Sequence, residues 1–418
     1  MADAAWGSVA AMDRRLMDRS SERCGVAQFL LWLAPWVALL GVGLYAMLLC
    51  LRDGLYYTNM DNRFAFGLWI FLDLAIIAFG GGAFFSGFLL YILRRKELAA
   101  VIRSAVLIGF LCYSGAMLVL MVDVGQPVRS WFTFWHPNTH SMLTEVTFCI
   151  SCYLVVLAIE YLPTILRHRQ VRRIGSLLVF EWELHKTIPI FAALGTFLSF
   201  FHQGSLGGLY GVLRGRPFAF REGFGIWPTT FFLFILSAIA VGPSFLIVTT
   251  RAVEALTRRR LVPPDVYRTL ARISGGLLTV YVMLKAVDTL VWLNSTSRRS
   301  GFVPWEYYAW PPFGLWILFA EIVLFGFVPA VWLWRGGARH PNRLLVPALL
   351  ACAGVGLNRF VLTIQTLALP TLPFDEFMTY APSWQEVTAF LGVIAFGVIA
   401  YSLSYRYLKL FPQERSGE

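Results

Sequence analysis

WPTTFFLFILSAIAVGPSFLIVTT, Trp227 to Thr250, runs for 24 residues without an acid, a base or a histidine. As a helix rising 1.5 Å per residue, such a run is longer than the roughly 30 Å hydrocarbon layer of a bilayer. Comparable apolar runs occupy 28–51, 67–93, 101–122, 142–163, 186–202, 270–292, 310–334, 343–366 and 384–407. Backbone N–H and C=O groups in lipid must be satisfied within the segment itself. No run alternates polar with apolar as barrel strands do, so each is expected to be a helix. The expected fold is an all-α integral membrane protein with ten transmembrane helices.

Composition agrees. Of 418 residues, 58% are hydrophobic and only 14% charged, against about a quarter charged in soluble domains. The mean hydropathy is +0.65. The net charge of +11 therefore reads as membrane topology and not as nucleic-acid binding. With ten spans both termini share one side. Assigned to the nearer loop, 24 Lys and Arg fall on that side and 8 on the other, with Lys186, Lys285 and Arg359 in or at the start of helices. Basic residues mark cytoplasmic loops, so the termini are expected in the cytoplasm and the opposite face in the periplasm. A polar stretch, 1–27, with no cleavage site ahead of the first run, reads as a retained cytoplasmic tail. The periplasmic loops 52–66, 123–141, 203–226, 293–309 and 367–383 are rich in Trp, Tyr, Phe and Pro. They suit a docking surface or lid, or equally an interfacial aromatic belt.

The six cysteines form no disulfide framework. Cys149 and Cys152 sit three apart within one apolar run, a spacing that fits helix packing. No second pair or nearby histidine completes a metal site, and an iron–sulfur cluster needs about four suitably placed thiolates.

Ionisable groups inside spans are costly and mark function. Placed on the topology, Asp73, Asp123, Glu145 and His202 come from four successive helices yet share one depth near the periplasmic surface. Gln203 and Ser205 follow directly, in FLSFFHQGSLGGLYG (197–211), where the fifth helix is expected to end at His202 and Gln203. Two facing histidines would be needed for a b-type heme. His136 and His140 lie in a periplasmic loop and His168, His185 and His340 on the cytoplasmic side, which leaves His202 alone at span depth. An imidazole, carboxylates and an amide within apolar walls instead suit a quinone. Its carbonyls want hydrogen-bond donors, and its reduction to quinol takes up protons that His and Asp can relay. The alternative is that these acids cap helices or pair with Arg129.

A second polar set lies in helices 7 to 9. Tyr281, Lys285 and Asp288 share one helix face, Glu321 is near the middle of the eighth span, and Arg359 is in the ninth. Lys285–Asp288 and Glu321–Arg359 are expected as buried ion pairs that hold helices together, or as parts of a proton path.

With these residues in place the chain resembles the NrfD/PsrC family of respiratory membrane subunits, in its ten-helix branch. DVGQPVRSWFTFWHPNTHSMLTEV (123–146) resembles the family's Asp-Gly-Pro-Arg loop, carried here by Asp123, Gly125, Pro127 and Arg129. LSFFHQGSLGGLYG is similar to the His-Gln-Ser-Ser-Leu-Gly segment, with Gly204 in place of the first serine. YAPSWQE (380–386) resembles the Tyr-x-Pro-Ser-x-x-Glu before the last helix. The resemblance implies two four-helix bundles, helices 2–5 and 6–9, flanked by helices 1 and 10. It implies a cytoplasmic tail 1–27, helices 1–5 with the quinone-binding bundle over 28–202, a periplasmic loop 203–226, the second bundle over 227–366, a loop and last helix over 367–407, and a cytoplasmic tail 408–418. It implies menaquinone at the outer surface of the first bundle, no heme or iron–sulfur cluster in this chain, and a docked periplasmic iron–sulfur subunit with multiheme cytochrome and molybdopterin-type subunits. Menaquinone reduction in a bacterial inner membrane is the expected activity. An ion or small-solute transporter using the helix 7–9 charges, or a passive anchor for extrinsic subunits, are the other readings.

Overall fold

The computed structural model of the chain describes residues 11–13, 16, 24–168, 170–171, 175–224, 227–309, 314–339, 343–372 and 374–411. Most of the expected tail 1–27, residues 412–418, and His340 lie outside them. Among the described residues nine helices are long and apolar enough to cross a membrane. In chain order they are α1 (Val26–Asp53), α2 (Leu68–Tyr91), α3 (Ile102–Asp123), α4 (Met142–Leu166), α6 (Thr229–Thr257), α7 (Pro264–Arg299), α8 (Leu315–Gly336), α9 (Leu345–Ala368) and α10 (Trp384–Tyr407). One further long helix, α5 (Gly175–Gly211), lies between α4 and α6. A two-residue antiparallel pairing, β1 (Gly223–Phe224) with β2 (Trp227–Pro228), leads into α6.

Most spans match the apolar runs, with two systematic differences. Helices outlast hydropathy where their ends are solvated, so α7 extends beyond 270–292 at both ends. The larger difference is α5, which does not end at His202 and Gln203 but continues to Gly211. Gly204, Gly207, Gly208 and Gly211 fall in the segment 203–226 expected as a loop. In the structure they let α5 pass close to α6. A Cβ at Gly204 would lie 2.5 Å from the Phe231 ring, one at Gly207 2.4 Å from the Thr230 carbonyl, and one at Gly211 2.1 Å from the Thr230 hydroxyl. Small residues at crossings allow this approach in a membrane protein.

α2 packs on α3 and α5, and α4 on α3 and α5. Likewise α6 packs on α7 and α9, and α8 on α7 and α9. α2 and α5 both lie against α6, and α1 pairs with α10. The capping box of α10 is formed by Ser383, which accepts from the Glu386 N–H, and Glu386, which accepts from the Ser383 N–H. Glu386 also accepts from the Asn59 N–H at 2.9 Å and from the Tyr380 hydroxyl. The Tyr380 oxygen in turn accepts from the Leu68 N–H at 2.9 Å. The Tyr, Ser and Glu of YAPSWQE thus tie the start of α2 to the start of α10. At the other end of the spans, Asp13 is bonded twice by Arg406 of α10, each at 2.8 Å, and by the Tyr407 hydroxyl. The hydrogen bonds from Arg406 hold the Asp13 carboxyl below the usual carboxylate range.

Candidate functional site

The interior enclosed by α2–α5 contains polar groups left without partners. Asp73 of α2 is 4% exposed. Asp123, at the end of α3, and Tyr210 of α5 fall within electrostatic range of it. Asp123 also feels Glu386 at the start of α10. One oxygen on each of Asp73 and Asp123 has no hydrogen-bond partner. His202 of α5 is fully buried, and neither its ring nitrogens nor the Gln203 amide nitrogen meet full hydrogen-bond geometry, while the Val146 backbone approaches the ring and Tyr113 approaches Gln203. The His202 ring lies 5.7 Å from that of Tyr113, which meets Tyr153 edge-on at 4.4 Å. The Tyr113 hydroxyl is 3.3 Å from the Ser199 hydroxyl.

The glycine run in α2 makes room for this convergence. A Cβ at Gly81 would meet the Ser199 oxygen at 2.6 Å, the Tyr113 hydroxyl at 3.0 Å and the Gln203 amide nitrogen at 3.5 Å. Leaving a buried polar atom unsatisfied costs about 1–3 kcal/mol. Several within one helix bundle mark a region where something polar, water or ligand, completes the bonding. The donors and acceptors present fit a quinone headgroup: an imidazole and an amide to donate to carbonyls, carboxyls to exchange protons, and ring walls to hold a planar body.

Not every expected site residue joins this group. The Ser205 hydroxyl donates to the Phe201 carbonyl of its own helix at 2.8 Å. Glu145, half-buried in the first turn of α4, has no hydrogen-bond or ion-pair partner among the described residues. No pair forms between Arg129 and any of the acids among the described residues. Sequence reasoning passed over Tyr113, Tyr153, Ser199 and Tyr210, which look like core residues of apolar runs. It also missed Glu160, 6% exposed on α4 with one unpartnered oxygen, which lines a 440 Å³ cavity together with Arg103 and Arg167. An acid inside an apolar run was the available signal.

In α7–α9 the expected ion pairs are replaced by others. Asp288 accepts from Arg221 at 2.8 Å and from the Thr229 hydroxyl, and does not pair with Lys285. Lys285 lies 3.3 Å from Glu321. Glu321 accepts from Asn358 at 2.7 Å, and Asn358 accepts from Arg359 at 2.7 Å. Arg359 has no direct bond to Glu321. It donates to Ser237 of α6 at 2.9 Å and lies 3.6 Å over the Phe234 ring. The pairing changed because Arg221, in the segment between α5 and α6, turns inward and takes Asp288. A small cavity of about 10 Å³, enough for one water, lies beside Tyr281, Lys285 and Glu321.

The family model described as "Polysulphide reductase, NrfD" matches residues 56–370. The chain belongs to the NrfD family. Among NrfD relatives, it is 47% identical over 406 residues to the menaquinone reductase integral membrane subunit of Nitratidesulfovibrio vulgaris, covering 96% of this chain and 97% of that protein. It is 25% identical over 366 residues to the probable Ni/Fe-hydrogenase 2 b-type cytochrome subunit of Escherichia coli, covering 85% and 86%. It is 24% identical over 430 aligned residues to the putative dimethyl sulfoxide reductase membrane subunit of Halobacterium salinarum, covering 91% of each. An NrfD chain with this set of relatives is an integral membrane subunit of the respiratory redox type.

Proposed function

We propose that this chain is the quinone-site subunit of a menaquinone-reducing membrane complex. The observation that carries the reading is the group of unpartnered buried atoms on Asp73, Asp123, His202 and Gln203 within α2–α5. The 47% identity to a menaquinone reductase membrane subunit supports it. In this reading ten helices cross the membrane, α2–α5 and α6–α9 each form a four-helix bundle, and both termini are cytoplasmic. Electrons come from a periplasmic iron–sulfur subunit backed by multiheme cytochrome and molybdopterin-type subunits, and no heme or cluster is bound by this chain.

A quinone supplies two carbonyl oxygens that become hydroxyls on reduction. His202 and Gln203 donate to one end of the headgroup, and burial keeps that imidazole and amide from spending their bonds on water. Asp73 and Asp123 hold protons at the outer end and release them toward the reduced carbonyls. Tyr113 and Tyr153 fix the ring plane. Ser205 steadies the local turn of α5, and Glu145 contributes charge at the rim. The test is to replace His202 or Asp123 by Ala in the complex purified from its own membranes. Quinone turnover is expected to be lost while the partner subunits still co-purify. Normal turnover in both variants overturns the site assignment.

Proton supply from the cytoplasmic side is favoured by two observations. Glu160 opens on a polar cavity at that end of α4, on the same helix as Tyr153 two turns further in. Tyr281, Lys285 and Glu321 line a water-sized space, with Arg359 joined to Glu321 through Asn358, whereas Asp288 has both oxygens committed to Arg221 and Thr229 and serves structure.

A further inference from the structure

A groove of about 640 Å³ lies between α1, α3, α6 and α10, and nothing in the site above uses it. Its volume falls in the range of small-molecule sites, about 300–1,000 Å³. Among the described residues its lining contains no Asp, Glu, Lys, Arg or His. Phe29, Trp32 and Trp36 of α1 and Phe245 of α6 form an aromatic wall. On α6 the lining runs from Phe245 to Thr257, about 18 Å along the axis at 1.5 Å per residue.

The inner end of this groove decides its occupant. It penetrates between the helices to Ile76 of α2 and Cys112 of α3. Ile76 is one helical turn from Asp73, and Cys112 precedes Tyr113, the ring beside His202. We propose that this groove holds the isoprenoid tail of the quinone whose headgroup lies among Asp73, Asp123, His202 and Gln203. The inference rests on the quinone reading above and adds the path of the tail. An uncharged chain needs no ionic partner, which matches the lining. It needs an apolar channel that approaches the headgroup, where Ile76 and Cys112 are the groove residues next to Asp73 and Tyr113 along their helices, and one that opens to lipid, which the exposed flanks of Trp32, Leu256 and Ile394 provide. A phospholipid would bring a phosphate, and the cation that touches the lining, Arg406 on Cys24 and Phe29, is already taken by Asp13.

Gly397 of α10 lines the groove, and a Cβ there meets nothing within 4 Å. Gly397→Phe therefore fills the groove without forcing the backbone. Ala252→Phe fills it from α6 and covers the case in which the first variant fails to assemble. Gly41 lies on the outer face of α1, away from the groove, also with open space, so Gly41→Phe is the control. The measurement is KM for a long-tailed menaquinone and for a tail-free naphthoquinone in the intact complex. Losing burial of a few methylene groups is expected to raise the ratio of the two KM values roughly tenfold in the filled variants. The control is expected to keep the wild-type ratio. An unchanged ratio in both filled variants overturns the tail assignment while the quinone reading stands. Loss of a co-purifying phospholipid from the filled variants, with the ratio unchanged, also overturns it and gives the groove to lipid. A wild-type complex that reduces neither quinone overturns the inference together with the reading beneath it.

Discussion

Inside α6–α9, Asp288 has both oxygens bonded, Lys285 meets Glu321, and Glu321 meets Asn358. Among the described residues the Tyr281 hydroxyl and the Arg359 Nε are left over there, as are the hydroxyls of Thr230, Thr250 and Tyr267 and the Trp292 Nε1, but no carboxyl or imidazole atom. Inside α2–α5, both nitrogens of His202, the Gln203 amide and an oxygen on each of Asp73 and Asp123 are left over. Both interiors bury charge in lipid, which is expensive in either case. The difference is where the compensation comes from. In the second interior the chain supplies it, through Arg221, Thr229, Asn358 and Ser237. In the first the chain withholds it, and the arrangement suits a ligand with polar atoms of its own. Buried charge alone does not distinguish a site from a brace; the pattern of satisfied and unsatisfied atoms does. Backbone form differs too. The second interior has π-helical turns at Trp292–Thr296, Ala320–Phe327 and Val361–Gln365, of which the second contains Glu321 and the third begins two residues after Arg359.

This contrast can be broken by substitution. His202→Ala, in the unsatisfied set, should cut quinone turnover by at least about a hundredfold, in line with loss of a positioned acid–base group, with little change in thermal stability. Arg221→Ala, in the satisfied set, should do the reverse. Removing one partner of a buried ion pair costs about 3–5 kcal/mol, so the melting transition of the detergent-solubilised complex should drop sharply. If Arg221→Ala melted normally, the second interior would not be held by its charges. Glu321→Gln sharpens the same question. If the network carries protons, potential generation in proteoliposomes should fall more than quinone reduction does. An equal fall in both assigns Glu321 to structure.

Smaller effects are expected where the chain has already bonded its polar groups outside both interiors. The Asp13 carboxyl is held below its usual range by Arg406. A depressed carboxyl stabilises the fold above its unfolded value and loses that contribution as pH falls through the folded one. Protease access to the N-terminal segment should therefore be low near neutrality and rise only below about pH 4. Asp13→Asn should remove the pH dependence. Smallest of all, Ser205→Ala should change stability by no more than about 0.5 kcal/mol and turnover by less than twofold, because its hydroxyl points back to Phe201. A large loss of turnover would return Ser205 to the site.

Much of this was legible from residues alone. The spans were visible because lipid permits few ways to satisfy a backbone, and Asp73, Asp123, His202 and Gln203 were visible because charge and amide stand out in apolar runs. The end of α5 was not. Gly204 to Gly211 has the composition of a loop, and only the approach of Phe231, Thr230 and Pro228 shows why glycine suits a helix there. The partners in α6–α9 were hidden for another reason. Helical spacing places Lys285 near Asp288 on one face, but it says nothing of Arg221, which arrives from a connecting segment. Tyr113 and Tyr153 were hidden because a tyrosine in an apolar run looks the same whether its hydroxyl serves packing or a ligand.

The pairing of α1 with α10 sets a condition on biosynthesis. Gly43 and Gly392 meet backbone to backbone, where a Cβ on Gly43 would lie 2.6 Å from the Gly392 Cα, and Asp13 bonds Arg406 across 393 residues of chain. Contact between the first and last spans cannot form until the whole chain between them has been translated and inserted. Until then α1 waits in the bilayer without its main neighbour. A chain that stops before α10 leaves Gly43 without the Gly392 backbone it meets and Asp13 without Arg406.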